Sequence, residues 1–116
     1  MSQVEIYDYS GPGYDPTMHF DTWRVAYLNY AERFDPLTPL VQERHILTDE
    51  VFLLLQGKAT LIIGDTLQKY EMKPFQLYNV KKGCWHHIHV SKDAKVLIIE
   101  NNDTSQENTE YRSVEN

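Results

Sequence analysis

The sequence predicts an all-β fold, closed as a sandwich or barrel, on three observations. Strand-like runs follow one another from residue 41 onward: LVQERHI, EVFLLLQ, KATLIIG, QLYNV, WHHIHV and AKVLIIEN. They are rich in β-branched and aromatic residues and have the length of ordinary strands. Turn signals separate them, at QGK (56–58), IGDT (63–66), KKG (81–83) and SKDA (91–94). Nowhere does a long amphipathic helical pattern come between two strands, which disfavours an α/β arrangement.

The elements follow in order. VEIY near the N-terminus reads as a short strand, and DYSGPGYDP (8–16) as the loop behind it. TWRVAYLNY reads as a strand because it is dense in aromatic and β-branched residues; a helix through 21–34 is the competing reading. DPLTPL (35–40) brings two proline breaks before the strand series begins. The polar tail NNDTSQENTEYRSVEN (101–116) is expected to be partly extended or mobile, with Tyr111 as an anchor. At 116 residues the chain fits one domain, 1–116, with a barrel core of about 41–100.

Composition narrows the function classes. Hydrophobic residues make up 41% of the chain, with eight Tyr and two Trp, which is enough for one packed core. The net charge is −6 and no basic stripe is present, so nucleic acid and anionic membrane are poor partners. The single cysteine, Cys84, excludes an intrachain disulfide and a CxxC site. The acidic N-terminus is unlike a signal peptide, and the longest apolar run, VFLLL, is too short to cross a bilayer. A cytoplasmic location is the expectation.

Alternation places ionisable groups on apolar faces. In CWHHIHV, if Ile88 and Val90 point inward then so does His86, while His87, His89 and Trp85 face the other way. In EVFLLL, Glu50 shares a face with Phe52 and Leu54, and Val41, Glu43 and His45 share a face upstream. Any one such residue is more often ordinary core or rim than a ligand. Several converging are harder to explain without a function, because burying a carboxylate with two imidazoles is costly.

These residues resemble the motifs of the cupin superfamily. The first cupin motif is Gly, five residues, His-x-His, three or four residues, Glu, six residues, Gly. Here Glu50 and Gly57 keep the last spacing and His45 matches the second His, while Glu43 stands for the first His and Leu37 for the leading Gly. The second motif is Gly, five residues, Pro-x-Gly, two residues, His, three residues, Asn. Gly83 and His86 match it, with Phe75, Lys81 and Val90 as departures. TDEVFLLLQG, YNVKKGCWH and VLIIENNDT are also similar to segments of small bacterial single-domain cupins. The resemblance implies a jelly-roll β-barrel. Its known members range from oxygenases and isomerases to storage and sensor proteins, so it leaves the reaction open.

Carried over, the resemblance implies that His45, Glu50 and His86 hold a divalent ion, Fe, Mn, Ni or Zn, with Glu43 as an additional, harder ligand. A small molecule would enter the barrel mouth. Arg24 could clamp a substrate carboxylate, against the commoner surface salt bridge, and Tyr78 and Trp85 could stack on a ligand, against core or interface packing. The alternative is a metal-free sensor that binds a sugar or small carboxylate; a third is a pocketless structural cupin. A homodimer is expected, because an open barrel leaves edge strands to cover and VEIY can cross between subunits.

Overall fold

The structure is a computed structural model and describes residues 3–114. Among them are β1 (Tyr14–Phe20), β2 (Trp23–Asn29), β3 (Val41–His45), β4 (Glu50–Gln56) and β5 (Ala59–Ile63). The series continues with β6 (Gln68–Glu71), β7 (Leu77–Val80), β8 (His86–Val90), β9 (Lys95–Asn101) and β10 (Thr109–Ser113). They form two five-stranded antiparallel sheets, ordered β1-β2-β9-β4-β7 and β10-β3-β8-β5-β6. This is the expected all-β jelly-roll barrel.

Alternation drives the packing. Phe52 and Leu54 of β4, Val96 and Ile98 of β9, Leu61 of β5 and Ile88 and Val90 of β8 are buried between the sheets. Their neighbours in sequence face the other way and, apart from the buried Ile62, are half-buried or exposed. β4 and β5 belong to different sheets, and the chain passes between them at Gly57, whose φ of +76° suits glycine. A Cβ there would lie 2.7 Å from Ser91 Oγ and 2.8 Å from Ala94 Cα, so the turn also needs the missing side chain.

The ends of the chain depart from expectation. VEIY forms no strand, and Ile6 is 91% exposed. The first strand is instead β1, inside the stretch expected to be loop. It tolerates Pro16 because it is an edge strand whose register shifts between Asp15 and Met18. β6 was not anticipated, since all four of its residues are exposed and it carries no apolar pattern. The tail is more ordered than expected, because β10 pairs with β3 from Thr109↔His45 to Ser113↔Val41. Tyr111 is 54% exposed, so backbone pairing holds the tail rather than a buried aromatic anchor. The barrel therefore takes in strands on both sides of 41–100.

Candidate metal centre and cavity

Three strands bring the ionisable residues together. β3 places Glu43 and His45 on the inner face, β4 begins with Glu50 facing inward, and β8 begins with His86 directly opposite Glu43. The backbone N–H of Gly83 donates to His45 O at 2.8 Å, which ties the turn before β8 to the end of β3. His45, Glu50 and His86 are buried and Glu43 is half-buried. One donor atom from each of the four lies within 4.8 Å of all the others.

The outer nitrogen of each imidazole is held by a defined partner. Thr109 Oγ1 donates its only proton to Ser105 O at 2.7 Å, so it must accept from His45 Nδ1 at 2.9 Å. His86 Nδ1 donates to Cys84 O at 2.9 Å. Both rings therefore turn Nε2 to the centre. His45 Nε2 lies 3.1 Å from Glu50 Oε1. His86 Nε2 lies 2.9 Å from the same oxygen but out of line for a hydrogen bond, and is a buried nitrogen without a partner. Glu43 Oε1 stands off at 3.8 Å and 3.9 Å from the two Nε2 atoms.

The charges respond to one another. Burial alone would raise the Glu50 pKa, but the two adjoining imidazoles outweigh it and hold the carboxyl far below the usual range. Burial pulls His45 and His86 down, and Glu50 outweighs it and lifts both above the ordinary imidazole value.

A second polar group adjoins this one. One step along from the Val51–Ile99 pair, Glu100 faces inward on β9 beside Glu50. Burial first, then the charge of Glu50, pushes Glu100 up to about 7. Tyr14 donates its hydroxyl hydrogen to Glu100 Oε2, and Arg24 reaches the same oxygen from Nη2 at 2.9 Å and Nε at 3.1 Å. Arg24 Nη1 donates to Asn102 O at 3.3 Å. Arg24 lines the cavity, and three of its five N–H groups already donate within the protein, two of them to Glu100.

Between the sheets runs a cavity of about 790 Å³, with Tyr14, Glu43, Phe52, His86, Ile98 and Tyr111 among its walls. Tyr78 and Trp85, expected to stack on a ligand, are not part of its wall. Tyr78 Oη accepts from Lys73 N at 2.9 Å and donates to Gln76 Oε1 at 3.0 Å. Trp85 has the guanidinium carbons of Arg44 and Arg112 at 4.6 Å and 4.4 Å from its ring centroid. Tyr14, Glu100 and Thr109 are the site residues that sequence reasoning missed. Glu100 had a signal: it shares the parity of the inward-facing Val96 and Ile98. Tyr14 lay in an apparent loop and Thr109 in an apparent tail.

Solved structures share this architecture over most of the chain. A Streptomyces PAC13 variant with uridine matches with a TM-score of 0.69 at 10% identity, covering 100% of this chain and 95% of that one. A cupin-2 domain protein from Shewanella frigidimarina NCIMB 400 matches with a TM-score of 0.64 at 19% identity, covering 81% and 85%. The fold is a cupin fold. KdgF from Halomonas sp. is a further neighbour, with a TM-score of 0.60 at 13% identity and coverage of 86% and 90%. No protein-family model and no curated protein matches the sequence. At these identities the likeness is one of fold, and the chemistry has to be argued from this cupin barrel's own residues.

Proposed function

We propose that the chain binds one divalent metal ion through His45, Glu50 and His86, with Glu43 as a fourth ligand, and accepts a small polar molecule in the adjoining cavity. The observation that carries this reading is the pair of imidazoles whose Nδ1 atoms are both engaged, so that both Nε2 atoms converge on one carboxylate oxygen. With both Nδ1 atoms engaged, two imidazole nitrogens this close to a carboxylate oxygen repel it unless a proton or a metal cation lies among them. With neutral imidazoles the four residues carry two negative charges, which a divalent ion cancels. Two nitrogens and two carboxylates suit Fe, Mn, Ni or Zn.

When bound, the ion supplies Lewis acidity to a ligand oxygen that reaches it. The protein's own residues orient and enclose. Thr109 and the Cys84 carbonyl fix the ring orientations by holding each Nδ1, as partners of metal-ligating imidazoles do. Arg24 and Tyr14 fix Glu100. Phe52 and Ile98 give the cavity an apolar wall. With Arg24 engaged, a neutral polyhydroxylated ligand fits better than a carboxylate. The fold neighbour Pac13 is described as a nucleoside dehydratase and a variant of it was solved with uridine, which makes nucleosides and sugars the first compounds to screen.

A second reading rests on the raised imidazole pKa values. Protonated His45 and His86 can hold Glu50 without any metal, leaving a metal-free binding cavity. Elemental analysis of untagged protein purified without chelator separates the two readings, with His86→Ala in parallel. Near-stoichiometric metal that the substitution abolishes is the expected result. Absence of metal after reconstitution would leave the metal-free reading.

A further inference from the structure

Glu43 stands apart from the other three ligands. β3 sets it directly opposite His86 and, on its other side, opposite Tyr111. Its side chain is 25% exposed and its Oε1 faces both Nε2 atoms, at 3.8 Å and 3.9 Å. Among the described residues, the only cations it can pair with are these two imidazoles. Both distances are short enough for one ion to bridge the carboxylate and the two imidazoles.

We infer that Glu43 sets the ion preference of the centre, tilting it toward Mn(II) and Fe(II) relative to Ni(II). This rests on the metal-binding reading above. Imidazole nitrogen favours ions late in the first-row series, and carboxylate oxygen favours Mn(II) and other hard ions. A carboxylate in this position also brings the charge of the loaded centre to zero, whereas a third imidazole leaves one positive charge inside the barrel. Absolute affinity still rises from Mn(II) to Ni(II) in both cases; the gap between them is what Glu43 narrows.

The test is competition of Mn²⁺ and Ni²⁺ against a chromophoric chelator, on the wild type, Glu43→His and Glu43→Gln, with folding checked by circular dichroism. Glu43→Gln keeps the shape and guards against a folding defect in Glu43→His. The Mn²⁺-to-Ni²⁺ affinity ratio is expected to fall by about tenfold or more in Glu43→His, and Mn²⁺ affinity to fall in Glu43→Gln. Tight binding with an unchanged ratio and an unaffected Glu43→Gln overturns the role of Glu43 and leaves the metal centre standing. Failure of all three proteins to bind either ion overturns both.

Discussion

His86 and His87 are consecutive on β8 and differ in almost every physical respect. His86 points between the sheets, is 3% exposed, and sits against Glu50 with Glu43 beyond. His87 points to the other side, with Phe34 stacked 6.1 Å away at the rim of the cavity and the edge of His89 at 5.1 Å. Burial disfavours the charged form of both. Glu50 reverses that for His86, whose pKa is raised, whereas His87, with only cationic or neutral rings and Arg33 near it, is lowered to about 4. The contrast teaches that burial alone keeps a histidine neutral, and that a carboxylate opposite reverses this.

The largest expected effect sharpens that contrast directly. His86→Ala is predicted to weaken divalent-metal affinity by more than about 100-fold, beyond the usual cost of losing a group that only orients a ligand. His87→Ala should leave it within about twofold. A chelator competition assay reads both, and equal losses would break the comparison. Next comes Thr109→Val, which removes the acceptor for His45 Nδ1 without touching the centre itself. It should lower affinity by about 10- to 100-fold.

The pH dependence of the metal-free protein follows in size. His45 and His86 are raised, so their contribution is complete below the ordinary imidazole value of 6.5 and is lost as pH rises through their higher folded values. Glu100, raised from 4.5 to about 7, costs stability over the interval between those values. Both act in the same direction, so thermal stability should fall from mildly acid to alkaline pH, and Glu100→Gln should reduce the fall. His87 works on the acid side. Its lowered pKa costs stability as pH drops from 6.5 toward about 4. Thermal melts across this range in chelated buffer test the signs; a flat profile would contradict them. The smallest effect is on packing: His87→Ala should destabilise the fold by about 1 kcal/mol through loss of the Phe34 stack, read by denaturant unfolding.

Alternation made the inner face of β4 and β8 legible, because a period of two is local and both strands are bounded by clear turns. Glu50 and His86 could be placed from their immediate neighbours alone. What alternation does not carry is which strand lies alongside. Arg24 reads as a free cation until β2 is set beside β9, where Glu100 is its direct partner. Trp85 reads as a stacking surface until Arg44 of β3 and Arg112 of β10 close on its ring. Thr109 was hidden for the same reason: its role comes from pairing opposite His45, across more than half the chain. β1 was hidden by composition, since Gly and Pro mark loops unless an edge strand absorbs them.

Thr109 lies at the start of β10, an edge strand that pairs with β3 alone. Edge strands open more readily than interior ones. In the proposed metal centre, each opening of β10 releases the hydroxyl that orients His45, which would couple ion exchange to the breathing of this strand. Amide hydrogen exchange along 109–113 and metal off-rate should then rise and fall together. The lifetime of a bound ion would become a clock for this edge of the barrel.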